Sequence, residues 1–141
     1  MPVHSLKNAL VARAEKLARS EHAGQFRRDG VTPYVRHPAS VAARVAGDPV
    51  SEAIAWLHDV LEDTGMTVEI LRAKGMPEEV IAGVTALTKS KDVAYETYLL
   101  RIKSNPTAKK VKIADMLSNL SDQPTQKQIV KYAKGLLVLL G

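Results

Sequence analysis

The sequence predicts a single all-α domain, a bundle of about seven or eight short helices that spans residues 1–141. Two patterns predict it. Apolar residues recur at intervals of three and four along most of the chain, and no stretch alternates apolar and polar residues long enough to indicate a strand. Proline, glycine and small polar residues interrupt this pattern at short intervals. A length of 141 residues, 45% of them apolar, suffices for one hydrophobic core.

The N-terminal part is predicted to contain two helices with a long ordered loop between them. The first helix runs from about residue 4 to 22. Its apolar stripe consists of Leu6, Leu10, Ala14 and Leu17. The segment GQFRRDGVTPYVRHP contains two glycines and two prolines, which favour the loop. Pro38 suits the first position of the second helix, which continues to Gly47.

Capping residues predict three helices in the middle of the chain. Asp48 and Pro49 are an N-cap and a first helical residue, and they begin one helix through VSEAIAWLHDVLEDT. Thr67 caps a short helix that ends at Gly75. Pro77, followed by two glutamates, begins a helix through VIAGVTALT.

Similar signals predict three helices in the C-terminal part. Asp92 is predicted to cap a helix that ends at Asn105. Another helix begins at Pro106, and the last begins at Gln123 and Pro124.

Composition restricts the function. The chain has no cysteine, which excludes thiolate metal sites and fits a cytoplasmic location. No signal peptide or apolar run of membrane-spanning length is present in the sequence, so no membrane association is expected. The net charge of +5 favours an anionic partner, either nucleic acid or a phosphorylated ligand. Only six aromatic residues argue against a surface that stacks single-stranded bases.

The stretch WLHDVLEDT concentrates ionisable residues on one predicted helix. His58 and Asp59 are adjacent, and Glu62 and Asp63 follow one turn later. Carboxylates so close together raise one another's pKa unless a cation shares the site, and imidazole and carboxylate are ligands of divalent metals. Taken alone, the His-Asp pair is more often a capping or surface pair.

Two residues elsewhere are candidates to complete such a site. His37 is held before Pro38 between a loop and a helix, and Asp115 lies on an apolar face where an unpaired carboxylate is costly. Each has an ordinary alternative, since His37 can bond backbone groups and Asp115 can form a helix salt bridge with Lys112 or Lys110.

The order of three segments, HAGQFRRDGVTPYVRHP, LHDVLEDT and VKIADMLSNL, resembles the HD-domain hydrolases of the RelA/SpoT type. The outline is most similar to the small single-domain alarmone hydrolases. The resemblance implies an HD-domain helical bundle. It also implies metal-dependent hydrolysis of guanosine 3′,5′-bispyrophosphate, (p)ppGpp, which removes the 3′ pyrophosphate to give GDP or GTP. Because no synthetase domain follows, synthesis of the alarmone is not expected.

The resemblance also implies roles for individual residues. The metal ligands, usually for Mn²⁺ although another divalent ion is possible, correspond to His37, His58, Asp59 and Asp115. The acidic pair that handles the attacking water corresponds to Glu62 and Asp63, and which of them takes the proton is open. The substrate-binding positions correspond to Arg27, Arg28, Tyr34, Lys112 and Asn119. His4 and His22 are not expected to be ligands, and His22 is expected to be a structural hydrogen-bonding residue.

The chain departs from the longer family members at two positions. They read ADRLHNL where this chain reads ADMLSNL, so Met116 and Ser118 replace an arginine and a histidine. The contacts of those two side chains are therefore lost.

Two other functions remain open. One is an HD-type phosphohydrolase acting on another nucleotide, such as NADPH or a nucleoside monophosphate. The other is a non-catalytic nucleotide-binding or DNA-binding helical protein, which the basic charge permits. Nothing in the sequence resembles a DNA-recognition helix, so nucleic acid is not expected as the partner. A small guanine nucleotide is the expected partner, and the oligomeric state is unknown.

Overall fold

The computed structural model describes the backbone of residues 3–141 and the side chains of residues 8–141. The side chains of His4 and Leu6 lie outside this range. Over the described residues the fold is helical apart from one isolated β-bridge between Phe26 and Pro33, which confirms the all-α prediction. The helices are α1 Val3–Glu21, α2 Arg36–Arg44, α3 Pro49–Leu57, α4 Val60–Asp63, α5 Val68–Ala73, α6 Glu78–Ala86, α7 Tyr95–Lys103, α8 Pro106–Leu120 and α9 Gln126–Leu140.

Two predicted N-caps, Asp48 and Thr67, are confirmed, and Asn105 caps the helix that was predicted to begin at Pro106. The side chains of Asp48, Thr67 and Asn105 each accept a hydrogen bond from the backbone N–H three residues later. Proline follows Asp48 and Asn105 at the first helical position, where its missing N–H leaves no helix hydrogen bond unmade. Among residues 3–141 no helix is long and apolar enough to cross a membrane.

Two predicted helix starts are wrong. Asp92 does not cap α7, because the backbone N–H of Val93 bonds to the carbonyl of Ser90 and forms a turn, so the helix begins only at Tyr95. The last helix begins not at Gln123 and Pro124 but at Gln126, where Thr125 and Gln128 form a capping box.

The second helix also begins earlier than predicted, at Arg36 rather than Pro38. Proline is tolerated throughout the first turn, because the N–H groups of that turn have no partner within the helix.

The predicted helix over 49–64 is divided at His58 and Asp59, which raises the number of helices in the described part to nine. The ring Nδ1 of His58 hydrogen-bonds the carbonyl oxygen of Ala55 at 2.6 Å. A continuous helix would use that carbonyl for the backbone N–H of Asp59, so the side chain competes with the helix at this point. The break separates α3 from the four-residue α4.

Helix α3 lies at the centre of the bundle. It packs against α1, α2, α6 and α8, and its side chains Ile54 and Leu57 are fully buried. Helix α8 packs against α2, α3, α7 and α9. The C-terminal end of α3 therefore meets α2 and α8 in the interior, where polar side chains from all three can approach one another.

Candidate active site

Three buried polar side chains converge where α2, α8 and the end of α3 meet. His37 comes from α2, His58 follows α3 and Asp115 comes from α8, and each is at most 6% exposed. Asp115 Oδ1 lies 2.7 Å from His37 Nε2 and 3.4 Å from His58 Nε2. One potential ligand atom from each residue lies within 4.8 Å of the others, so the three could hold a metal ion.

Asp59 adds a second carboxylate to this cluster. Its Oδ2 lies 3.1 Å from His58 Nε2 and accepts a hydrogen bond of 2.7 Å from the hydroxyl of Tyr34. Burial alone would raise the pKa of Asp59, but the neighbouring His58 more than offsets this and the pKa is lowered. Asp59 is therefore an anion beside His58, while the group of ligand atoms within 4.8 Å of one another consists of His37, His58 and Asp115.

The donor atoms of the cluster suit a divalent cation. Because a carbonyl oxygen can only accept, His58 Nδ1 must donate to Ala55, which leaves Nε2 free of a proton when the ring is neutral. This Nε2 is buried between Asp59 Oδ2 at 3.1 Å and Asp115 Oδ1 at 3.4 Å. Burial alone would lower the pKa of His58, but the two carboxylates raise it. Two imidazoles and two carboxylates match a borderline-to-hard metal, and such an ion would take the place of the proton between the nitrogen and the carboxylates.

Lys112 lies on the other side of Asp115, with 13% of its side chain exposed. Its Nζ lies 2.9 Å from Asp115 Oδ2 and 5.4 Å from the centre of the Tyr98 ring. Burial alone would lower the pKa of Lys112, but Asp115 raises it overall. Asp115 thus forms the salt bridge with Lys112 that was its alternative role. The salt bridge uses Oδ2, whereas Oδ1 faces the imidazoles.

The acidic pair lies on α4, and its two members have different surroundings. The carboxylate of Glu62 accepts a hydrogen bond from the backbone N–H of Lys89, which ties α4 to the loop between α6 and α7. Asp63 is close to Asp59 and Tyr34. Burial, followed by the charge of Asp59, raises the pKa of both Glu62 and Asp63.

The predicted substrate-binding residues divide into two groups. Arg27 Nη2 lies 3.3 Å from Asn119 Oδ1, and Asn119 Nδ2 lies 3.3 Å from Asp115 Oδ1, so both adjoin the cluster. Arg28 points elsewhere, because its Nη2 donates to Gln128 Oε1 at 3.1 Å beside a neighbouring cavity of about 330 Å³.

Gln25 is a site residue that the sequence did not indicate. Its Nε2 donates to the carbonyl oxygen of Asp63 at 3.0 Å, and its Oε1 lies 2.8 Å from His22 Nδ1. His22 is buried, and its Nδ1 bonds to Gln25 whereas its Nε2 has no hydrogen-bond partner. The one available signal was that Gln25 belongs to the same segment as Arg27 and His37.

Sequence comparison finds curated relatives much longer than this chain. No protein-family model matches. A probable GTP pyrophosphokinase of Mycobacterium leprae is 32% identical over 145 residues, which cover 93% of this chain and 18% of that protein. A guanosine-3′,5′-bis(diphosphate) 3′-pyrophosphohydrolase of Aquifex aeolicus is 31% identical over 78% of this chain and 17% of that protein. The chain therefore spans less than a fifth of these relatives.

A solved structure matches almost the whole chain. It is described as "A metazoan ortholog of SpoT hydrolyzes ppGpp and plays a role in starvation responses". The TM-score is 0.75 at 27% identity, over 94% of this chain and 84% of the other. Together with the helical bundle and the buried His-Asp cluster, these similarities show that the chain belongs to the RelA/SpoT-type HD domains.

Proposed function

We propose that residues 1–141 form one HD phosphohydrolase domain that removes the 3′ pyrophosphate of (p)ppGpp and releases GDP or GTP. The observation that supports this proposal is the buried cluster in which one potential ligand atom each from His37, His58 and Asp115 lies within 4.8 Å of the others. The relatives named as 3′-pyrophosphohydrolases and the solved SpoT ortholog support the choice of substrate.

The proposed ligands of a divalent cation, Mn²⁺ in the first instance, are His37, His58, Asp59 and Asp115. Such an ion, when bound, lowers the pKa of a water molecule and polarises a phosphoryl oxygen. The side chains around the ligands fix their geometry. The carbonyl oxygen of Ala55 orients the ring of His58, the hydroxyl of Tyr34 holds one oxygen of Asp59, and Lys112 holds the outer oxygen of Asp115.

The proton of the attacking water is assigned to the acidic pair on α4. A water oxygen forms a bond to the 3′ phosphorus, and the bond from that phosphorus to the ribose 3′ oxygen breaks. The ribose oxygen leaves and takes up a proton as the 3′ hydroxyl of GDP or GTP, and the attacked phosphoryl group is released as pyrophosphate. Glu62 or Asp63 accepts the water's proton, since both are carboxyls next to the cluster with raised pKa values that suit a general base. Arg27 and Asn119, which adjoin the cluster, are the proposed contacts to the nucleotide.

The test is an assay of pyrophosphate release with added Mn²⁺. We expect ppGpp to give GDP and pyrophosphate, and NADPH and nucleoside monophosphates to remain intact. His58→Ala should abolish turnover and metal retention, whereas Glu62→Gln and Asp63→Asn should reduce turnover and keep the metal. Comparing the last two variants identifies the base.

Two outcomes would contradict the proposal. If another nucleotide were hydrolysed while ppGpp stayed intact, the substrate would be wrong. If the purified protein held no metal and bound nucleotide equally well after His58→Ala, it would be a non-catalytic binding protein.

A further inference from the structure

A second cavity, of about 360 Å³, lies beside His37, which forms part of its wall. The imidazole Nε2 faces Asp115, whereas Nδ1 lies 3.5 Å from the hydroxyl of Ser118, which lines the cavity. A group bound in this cavity would therefore lie against the opposite edge of the ring from the cluster. It cannot be the phosphoryl group that reacts.

Hydroxyl groups form the floor of this cavity. Ser118, which is 5% exposed, donates to the hydroxyl of Ser40 at 2.8 Å. Ser121 donates to the carbonyl oxygen of Ser118 at 2.8 Å. The three hydroxyls are already oriented by one another and by the backbone, so they can exchange hydrogen bonds with an oxygen-rich ligand without large rearrangement.

The charges around the cavity favour an anion. Arg27 and Arg36 line it, and Arg44 donates to the hydroxyl of Ser121 at 3.2 Å. The carboxylate on its wall, Asp122, lies 3.5 Å from Arg27. The three guanidinium groups outnumber this one carboxylate, so the net charge around the cavity is positive. Guanidinium groups bind phosphate through paired hydrogen bonds.

We propose that this cavity binds the 5′ diphosphate arm of the substrate, which does not react. The inference rests on the proposed function, because only a nucleotide with two pyrophosphate arms on one ribose presents a second arm while the first is at the cluster. The cavity shares Arg27 and His37 with the site, so one substrate can reach both. Binding energy from this arm would select bispyrophosphates over nucleotides with one phosphorylated position.

The test compares two substrates in the wild-type protein and in Arg36→Gln. Arg36 is exposed at the start of α2, so the substitution should not disturb the core. For ppGpp we expect KM to rise about tenfold with kcat nearly unchanged, since one charge-assisted contact is lost from ground state and transition state alike. For guanosine 3′-pyrophosphate with a free 5′ hydroxyl, KM should not change.

Two further variants serve as controls. Arg36→Lys should recover part of the affinity for ppGpp, because lysine keeps the positive charge. The recovery should be incomplete, because an ammonium group cannot form the paired hydrogen bonds of a guanidinium group. Arg13→Gln removes an exposed arginine from α1 and makes the same change in net charge. It should leave both KM values unchanged.

Binding of GDP, measured by calorimetry without turnover, tests the subsite independently of the proposed hydrolysis of ppGpp. We expect Arg36→Gln to weaken GDP binding about tenfold. If ppGpp were not hydrolysed but this weakening were seen, the proposed function would fail and the subsite would stand. Equal effects of Arg36→Gln on both substrates would overturn the subsite. Inorganic phosphate is tested as an inhibitor in the same assay. If Arg36→Gln abolished this inhibition but left the KM for ppGpp unchanged, the cavity would be a site for a free anion, and the subsite would be overturned as well.

Discussion

Lys112 and Lys110 lie on the same helix, α8, but in different surroundings. Lys112 pairs with Asp115 at 2.9 Å, and the two side chains are 13% and 8% exposed. Lys110 pairs with Asp48 at 3.4 Å, and those side chains are 50% and 43% exposed. The comparison matters because removing one partner of a buried pair leaves the other charge without compensation, whereas water solvates the remaining charge at the surface.

We predict that Lys112→Met lowers the free energy of unfolding by about 3 kcal/mol in metal-free protein. The methionine keeps most of the aliphatic volume, so the loss reports the missing charge opposite Asp115. The matched control, Lys110→Met, should cost less than about 1 kcal/mol. Urea denaturation of the three proteins measures both values. Equal losses in the two variants would mean that Asp115 does not depend on Lys112.

Individual site residues differ in how far the sequence determines them. His58 and Asp59 stand out as a polar pair in an apolar stretch, and the structure buries His58 beside Asp115 and leaves Asp59 partly exposed next to His58. The low exposure of Lys112 was not predictable, because lysine at a helical position is usually exposed, whereas this one lies against Tyr98 of α7 and Asp115. Gln25 was not predicted as a site residue. Its side chain donates a hydrogen bond to the backbone carbonyl of Asp63, and a pattern of side chains in the sequence does not indicate a bond to the backbone.

At the scale of elements, α3 and α6 approach closely at Gly83. A Cβ built there would clash with Cδ1 of Ile54 and lie 2.9 Å from its Cγ1. Ile54 is fully buried at the centre of the bundle, so its side chain has little freedom to move away. Glycine in a helix is otherwise unfavourable by about 1 kcal/mol relative to alanine. Its presence in α6 is therefore explained by packing against α3.

We predict that Gly83→Ala lowers the free energy of unfolding by about 1–3 kcal/mol, because the added methyl group overpacks the contact with Ile54. Helix propensity alone would predict the opposite, a stabilising effect of alanine. The matched control is Gly65→Ala, since nothing lies within 4 Å of a Cβ at that position. It should be nearly neutral. Thermal unfolding measures both changes. A stabilising Gly83→Ala would show that Ile54 can repack, and the close approach would then not constrain α6.

Local chemistry explains which elements could be predicted. Asp48, Thr67 and Asn105 cap their helices through bonds to residues three positions away, so the sequence contains both partners. The break at His58 could not be read in this way. It depends on the hydrogen bond from His58 Nδ1 to the carbonyl oxygen of Ala55, which replaces a backbone hydrogen bond of the helix. The periodicity of the same residues fits an unbroken helix. This break orients His58 Nε2 toward the cluster.

At the scale of the whole molecule, the candidate metal site joins segments far apart in the chain. His37 and Asp115 are 78 positions apart and lie 2.7 Å from each other. Helical periodicity predicts that each lies on a helix but not that α2 and α8 meet. The sequence supplied this contact only through the resemblance to the RelA/SpoT family, in which the matching motifs occur in the same order.

Because the proposed ligands come from α2, α8 and the end of α3, a bound cation would link three elements that the unfolded chain keeps apart. Binding that occurs only in the folded state stabilises it by mass action. We predict that Mn²⁺ at 100 times its dissociation constant adds about 2.7 kcal/mol to the free energy of unfolding. For a chain of this size, Tm should rise on the order of 10 °C above that of protein treated with a chelator.

Two variants distinguish ligation from a general effect of the metal on an acidic surface. His37→Ala removes a proposed ligand and should abolish the increase in Tm caused by Mn²⁺. Asp63→Asn changes a carboxyl near Asp59 that is not a proposed ligand, so it should keep most of the increase. Calorimetric scans of the wild type and both variants, each with Mn²⁺ and with chelator, give the three differences in Tm that are required. An increase that survived His37→Ala, or was absent from the wild type, would mean that the cation does not link α2 to α8.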